Sequence, residues 1–508
     1  MTQRRWNAFR WSPAMSRSRS TLPEPTPQML AASTYAEWFE AAAAADQTTG
    51  ASAWRQHHET RLYDHASIQN RLHRLKSLRK KGDNRRLLFA LNEGIHGNMG
   101  GMGRPALYQR AFTGTKQLIG DYLDAICDSL EHLASAAAND IPLGERLHFF
   151  QRASHCYGRS ALMLSGGGTL GYFHLGVLKG LIEQNLCPTV ISGASAGAFV
   201  AAILGTRTDQ EFLELFANDD LAKALTVNNG DYKLSFFSKE KPDVEAISRD
   251  MGRFIPDMTF MEAYEKTGRA INITVSPAEP HQTSRLLNYI ASPNVTIRSA
   301  VMASSALPGI FPSVQLRARN DAGSIQPYLP GRRWIDGSLS QDLPAKRLAR
   351  LYGVNHFIVS QVMPGLGRER SGQPGLQKTV TDASIAATKQ MLRGFFDVLQ
   401  TRRRVPAPVG SAMNIINGVI DQQFTGDINI FPGYGYKALG KALRMLEQDE
   451  LTELLRAGER ATWPKIPMIE STTRIGRCLD RILRDAGVAE EKWLNGAPST
   501  ALSRPAQN

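Results

Sequence analysis

Residues 161–205 read ALMLSGGGTLGYFHLGVLKGLIEQNLCPTVISGASAGAFVAAILG and hold two glycine-rich turns, each following an apolar run and opening a helical pattern. The first turn is Gly166-Gly167-Gly168-Thr169-Leu170-Gly171. The second is Gly193-Ala194-Ser195-Ala196-Gly197, a G-x-S-x-G turn with a serine at its apex. A strand that ends in such a turn thrusts its central side chain out of the backbone. The small neighbours remove the Cβ bulk that would clash there. Oγ of Ser195 then stands at the N-terminus of the helix AGAFVAAILG, facing free N–H groups and the positive end of the helix dipole. This environment suits a nucleophilic serine and supplies donors for its oxyanion.

Working outward, residues 161–165, 189–193, 271–276 and 356–362 read as short buried strands rich in Ile, Val and Leu, separated by helical patterns. Strands alternating with helices imply right-handed crossovers, hence an α/β fold with a mainly parallel sheet and helices on both faces. Residues 29–46 and the stretch from Trp54 to about Leu133 carry helical patterns, with Leu62, Ile68, Leu72, Leu75 and Leu78 roughly on one face. Helical patterns return beyond residue 380. The stretch Ala383–Arg404 ends in Arg402-Arg403-Arg404 and has the form of either a core helix or an interfacial one. The chain thus divides into a basic disordered tail (1–28), an N-terminal helical domain (29–159), a catalytic domain (160–364) and a C-terminal helical extension (365–508). The tail after about Asn495 is polar and loose in pattern. No internal repeat is present.

The net charge of +13 is unevenly spread. Residues 1–20 carry five arginines and no acid, and residues 71–86 carry eight Lys or Arg against Asp83 alone, so the rest of the chain is near neutral. Arg71, Arg74, Lys76, Arg79, Lys80 and Lys81 are interleaved with leucines, a pattern of a solvated helix face or of a contact with lipid or a partner. The four cysteines, Cys127, Cys156, Cys187 and Cys478, form no C-x-x-C pair, which argues against a zinc cluster or a disulfide framework and for a reduced, cytoplasmic setting. No secretory signal is read in residues 1–30. Residues 184–206 are uncharged, but Pro188, Gly193, Gly197 and Gly205 break the run into strand, turn and helix rather than a membrane span.

Gly166, Gly168 and Gly171 satisfy G-x-G-x-x-G between a strand and a helix, as a dinucleotide fold demands. That fold also needs an acid at the tip of the next strand, to hold a ribose. Here the next strand ends Val190-Ile191-Ser192-Gly193, and Glu183 lies inside the intervening helix. No Gly-Lys-Ser/Thr follows, so a phosphate-binding Walker loop is excluded. What remains is a row of N–H groups at a helix N-terminus, aimed at negative charge. With strands 161–165 and 189–193 adjacent and parallel, both turns open on one edge of the sheet, an oxyanion hole beside a nucleophile.

The base is sought elsewhere. Trp334-Ile335-Asp336-Gly337-Ser338 places an acid after an apolar pair at a strand end, although Asp-Gly is also a common β-turn signature. Either Asp336 takes the proton from Ser195 directly, or a histidine stands between them. Ser195, Asp336 and His356 follow the chain order of an α/β-hydrolase triad. His356 opens its strand, however, at the wrong edge of a parallel sheet to reach the serine. His174 lies within the first turn after the glycine loop, where most helix histidines fill space or bond locally. The two-residue dyad is favoured.

On these residues the chain resembles the patatin-like phospholipase family: the glycine loop at 166–171, the Ser195 elbow, Asp336-Gly337-Ser338, and the stretch Asn294–Pro312 before it. The resemblance covers roughly residues 160–362. It is nearer to the patatin-like triacylglycerol lipases that carry an extra N-terminal helical domain, through phrases such as LNEGIHGNMG at 91–100, FMEAYEKTGR at 260–269 and TGDINI at 425–430. It implies a three-layer core, Ser195 as the acylated nucleophile, Asp336 as its base, and Gly166, Gly167 and Gly168 lining the oxyanion hole. Gly171, Gly193, Gly197 and Gly337 support the motifs. It further implies hydrolysis of glycerolipid acyl esters through an acyl-enzyme, at a membrane or lipid-droplet surface met by peripheral contact, without metal or organic cofactor and without nucleic acid. Ser165 stands where many members have Asp, and Leu170 where many have a basic residue. An uncharged residue there leaves neutral glycerides and lysolipids as candidates beside phospholipids. Transfer of the acyl group to a lysolipid or glycerol acceptor is an alternative on the same dyad. A lipid-surface binding protein with an idle site is the alternative that lacks chemistry.

Overall fold

The structure is a computed structural model. It describes residues 22–95, 97–217, 221, 248–249, 251–279, 282–307, 311–337, 343–362, 426–433 and 446–494. The basic start of the chain, the stretch Ala383–Arg404, Ser338 and the tail after Asn495 lie outside the described residues.

Among the described residues, seven strands form the main sheet. Five are parallel, in the order β3 (Ala270–Pro277), β2 (Val190–Gly193), β1 (Arg159–Leu164), β8 (Val354–Ser360) and β9 (Ile428–Ile430). The other two, β4 (Arg285–Leu287) and β7 (Trp334–Asp336), pair antiparallel with β3. Strands β5 (Arg317–Arg319) and β6 (Ile325–Pro327) form a separate hairpin. All four expected strands are present to within a residue or two. Strand β9 comes from beyond the 160–364 stretch and extends the same sheet.

Side chains alternate across this sheet with period two, and both faces are covered. On one face Leu162, Leu164, Ile191, Ile271 and Ile273 are buried. They share a core with α8 (Phe173–Glu183), α9 (Ala196–Gly205), α12 (Ile297–Ser304) and α14 (Gln448–Thr462). On the other face Ala161, Met163, Val190 and Val359 pack with Leu348 and Tyr352 of α13 (Ala345–Tyr352). The result is a three-layer α/β core. Each fully buried aliphatic side chain contributes about 1.5–3 kcal/mol, so runs such as Ala161–Leu164 are strongly specified as interior strands. Helices α8 and α14 come together almost backbone to backbone. A Cβ on Gly176 would lie 1.8 Å from the Leu455 carbonyl oxygen, and one on Gly458 2.2 Å from that of Phe173.

Before the sheet come α1 (Pro27–Ala31), α2 (Tyr35–Thr48), α3 (Ala51–Gln56), α4 (His65–Lys81), α5 (Asn84–Gly94), α6 (Gln117–Ala134) and α7 (Leu143–Tyr157). The helical pattern at 29–46 is broken in the structure at Ala32–Thr34. The Thr34 hydroxyl accepts from Glu37 N at 3.3 Å, and the Glu37 carboxylate accepts from Ser33 N at 2.8 Å. That reciprocal cap starts a new helix. The pattern from Trp54 to Leu133 is likewise interrupted between Ile95 and Lys116. Gly97, Gly100, Gly101, Gly103 and Pro105 interrupt it there, and among the described residues of that stretch two short 3-10 turns form.

The ends of the chain are interleaved. Trp38 of α2 packs on Phe112 and Trp463 in the sheet's core. Ile475, Cys478, Leu479 and Ile482 of the last helix, α15 (Ile466–Leu494), are buried against the helical block formed by α4–α7. Asn355 Nδ2 donates to the Tyr157 carbonyl at 2.7 Å, and Tyr157 Oη donates to the Thr472 carbonyl at 2.7 Å. These bonds hold α7 and α15 at the end of the sheet where β1 and β8 begin, leaving the opposite rim to the glycine loop and Ser195.

Candidate active site

Ser195 follows β2 by two residues and caps α9. Its backbone has φ 52° and ψ −119°, a conformation that a residue with a Cβ adopts only under constraint. The constraint is visible on both sides of it. A Cβ on Gly193 would lie 2.2 Å from the Gly197 carbonyl oxygen, and one on Gly197 would lie 2.3 Å from the Leu164 carbonyl oxygen at the end of β1. The elbow closes only because both positions are bare. Ser195 N donates to Ser304 Oγ at 2.9 Å, and Ser304 Oγ donates to the Thr274 carbonyl on β3 at 2.8 Å. Ser304, at the end of α12, is fully buried. Its hydroxyl therefore ties the strained residue to the neighbouring strand. The sequence marks this only as the small-residue run Ala303-Ser304-Ser305-Ala306.

The glycine loop lies against the elbow. It leaves β1 at Ser165 and runs through Gly166 and Gly167 into a short 3-10 turn, Gly168–Tyr172, that leads into α8. Gly171 faces Ala196, the residue after the serine: a Cβ built on it would come within 2.4 Å of the Ala196 Cβ. The turn opens a helical segment, and helix N-termini present N–H groups suited to a developing anion. Leu170 is buried in the core and offers no charge to a head group.

Strand register settles where Asp336 lies. β2 pairs with one edge of β3 and stops at Gly193, opposite Ile273. β4 occupies the other edge, pairing Ile273 with Leu287 and Val275 with Arg285. β7 pairs Val275 with Asp336, so it must lie on the β2 edge, in the space above the end of β2. It runs downward from Trp334 to Asp336, and Asp336 is its residue nearest Gly193. Two residues along β3, about 7 Å of strand, separate the two pairing positions. Gly337 meets Thr274, where its Cβ would be 2.1 Å from the carbonyl oxygen that Ser304 also bonds. Asp336 N donates to the Ala306 carbonyl at 3.0 Å, and the side chain is buried, 2 % exposed. The structure therefore brings Ser195, the glycine loop and Asp336 to one rim.

Neither histidine shares their position. His356 pairs with Ser160 near the start of β8, four residues below the Leu164–Ser360 pair, roughly 13 Å down the sheet. Its Nδ1 lies 3.0 Å from Ser160 Oγ. His174 is fully buried and already engaged at both nitrogens: Nε2 is 2.9 Å from the Ser165 carbonyl and Nδ1 2.7 Å from Ser360 Oγ. A carbonyl can only accept, so Nε2 carries the proton and Nδ1 accepts from the serine. The ring is a strut that fixes the root of the glycine loop.

Burial pushes the His174 pKa down from 6.5 to about 4, although the bond to Ser165 favours the charged form. The unfolded chain therefore binds a proton between these values that the folded chain refuses. The stability is fully present above pH 6.5 and falls as the pH drops towards 4. Between pH 7 and pH 5 the unfolding free energy should fall by about 2 kcal/mol through this ring. Urea denaturation at both pH values should show that fall in the parent chain and a shallower one in His174→Asn.

A family model described as "Patatin-like phospholipase" matches residues 162–349, and one described as "Domain of unknown function (DUF3336)" matches residues 16–155. A patatin-like phospholipase domain-containing protein of Cryptococcus neoformans is 32% identical over 498 residues, covering 94% of this chain and 56% of its own. Triacylglycerol lipase 4 of Saccharomyces cerevisiae is 35% identical, covering 87% of this chain and 50% of its own. Triacylglycerol lipase 5 of the same yeast is 33% identical, covering 94% and 67%. The chain thus spans about half the length of the first two. Among solved structures, human GIVD cytosolic phospholipase A2 aligns at a TM-score of 0.34 and 11% identity over 64% of this chain and 63% of its own, too faint a likeness to carry an argument. One residue in three is shared with lipase 5 along almost the whole chain, and the matched region 162–349 holds the elbow, the glycine loop and Asp336. The chain belongs to the patatin-like phospholipase family.

Proposed function

We propose that the chain hydrolyses fatty acyl esters of glycerolipids with Ser195 as nucleophile and Asp336 as its base. The observation that carries this reading is the placement of Asp336 on the β3 edge directly beyond the end of the strand that leads to Ser195. Ser195 Oγ attacks the ester carbonyl and its proton passes to the Asp336 carboxylate. The carbonyl oxygen becomes an oxyanion and meets the N–H groups of Gly166, Gly167 and Gly168, each such donor lowering the barrier by roughly 3 kcal/mol. The ester C–O bond breaks, the alcohol leaves with the proton from Asp336, and an acyl-serine remains. Water then gives a proton to the same carboxylate and attacks the acyl-serine; the acyl C–O bond breaks, Asp336 returns the proton to Ser195 Oγ, and the fatty acid is released.

Neutral glycerides are the favoured substrates. Leu170 supplies no charge for a phosphate head group, and two relatives carry the name triacylglycerol lipase. Residues 160–364 hold the reacting groups, with the helices before and after them as support. Among the described residues no helix is long and apolar enough to cross a membrane. The substrate is met by peripheral contact at a lipid surface. A panel of triacylglycerol, diacylglycerol, monoacylglycerol, phospholipid and lysophospholipid tests the reading. Release of fatty acid from the neutral glycerides should exceed that from diacyl phospholipid. A clear preference for phospholipid would overturn the substrate assignment, and inactivity on all five would overturn the hydrolase.

A further inference from the structure

Helix α4 carries the interleaved cations noted in the sequence, and the structure separates them by their partners. Arg74 pairs with Glu93 at 3.2 Å on exposed surface, and the half-buried Arg79 pairs with Asp128 at 2.8 Å. Arg71 differs. It is half-buried, has no carboxylate partner among the described residues, and shares the space over Gly94 with Tyr122: a Cβ built on Gly94 would lie 3.2 Å from Arg71 Nη1 and 3.2 Å from the Tyr122 hydroxyl. The Tyr122 hydroxyl, itself buried, donates a hydrogen bond to the Gly94 carbonyl at 3.4 Å. The two residues line a cleft of about 480 Å³ between α4, α5 and α6, whose floor is Leu75, Ala90, Leu91 and Ile126. An acid also lines it, Asp64, but its carboxylate caps α4 by accepting from Ser67 N at 3.0 Å.

We infer that this cleft binds a single-chain amphiphile with an anionic head, an acyl or alkyl chain ending in a carboxylate or a phosphate. The volume lies within the range of small-molecule sites, roughly 300–1,000 Å³, and the lining has their usual form of an apolar floor with a few placed polar groups. A guanidinium is the group best matched to a planar carboxylate or a phosphate, because its fork donates two parallel bonds. Here it stands beside the Tyr122 hydroxyl at the wall of the cleft. The apolar floor takes the chain, which a free inorganic anion could not use. The cleft belongs to the helical block at the end of the sheet opposite Ser195, so it is a second site, and it stands whether or not Ser195 is the nucleophile.

The test is calorimetric titration of the full chain with dodecanoate, monododecyl phosphate and the neutral ether 1-dodecylglycerol, each below its micelle concentration. None of the three has an acyl ester for the enzyme to cleave. Saturable binding of one anionic amphiphile per chain is expected in this cleft. Arg71→Gln should weaken it by roughly tenfold or more. Asn70→Trp, which adds bulk at an exposed lining position, should abolish it. Ester hydrolysis and helical circular dichroism should be unchanged in both variants. The ratio of dodecanoate to dodecyl phosphate affinity identifies which head group the site prefers. Equal binding by the parent chain and both variants, equal binding of the neutral ether, or no saturable binding would overturn the inference.

Discussion

Ser195→Ala should lower long-chain ester hydrolysis by a factor on the order of 10⁴–10⁶ and abolish labelling by a fluorophosphonate. The buried Ser304 hydroxyl cannot accept the acyl chain in its place, since it is committed to the Thr274 carbonyl and to Ser195 N. The structure adds a stability signature that a bystander serine would lack. At φ 52° and ψ −119° a side chain costs about 1–3 kcal/mol of backbone strain, and alanine inherits that cost in full. Glycine does not. Ser195→Gly should therefore be as inactive as Ser195→Ala, yet more resistant to urea by about 1 kcal/mol or more. Activity and stability measured on the two variants separate the chemistry from the strain that presents it. Retained hydrolysis in purified Ser195→Ala would remove the nucleophile from the account.

How much of this was legible in the sequence depends on the range of the interaction. The runs at 161–165 and 189–193 could be read because a parallel strand buried on both faces needs apolar residues throughout, and such runs have few other uses. The elbow could be read because its geometry demands bare neighbours at fixed offsets. Asp336 was legible as a residue type after a strand, but its site was not. That position depends on β7 running antiparallel into the gap that β2 leaves on the edge of β3, a pairing between Val275 and Asp336 with no local signature. Ser304 escaped for the same reason: a serine in a small-residue run states nothing about the amide it will meet 109 positions away. The contribution of α15 to the N-terminal helical block was equally hidden. Helical periodicity announces a buried face without naming what covers it.

Asp336→Asn provides the sharper test of the mechanism, because it preserves shape and removes only the capacity to take a proton. Hydrolysis should fall by roughly 10⁴-fold, the scale seen when a catalytic carboxylate is amidated in place. His356→Ala should leave the rate within a few-fold of the parent, since that ring lies about four strand residues below the rim. His174→Asn loses a strut and not a base, so its effect should appear mainly in stability. Ser304→Ala should sit between the extremes. It releases the Ser195 amide and lowers kcat by roughly 10–100-fold with little change in KM, the expected result of a nucleophile held less well in its reactive geometry. The ordering decides among mechanisms. A dyad predicts that Asp336→Asn falls with Ser195→Ala while both histidine variants stay active at neutral pH. A collapse in His356→Ala, with folding intact, would require β8 to shift towards the elbow. The register of β1 with β8, unbroken from Ser160–His356 to Leu164–Ser360, opposes that shift.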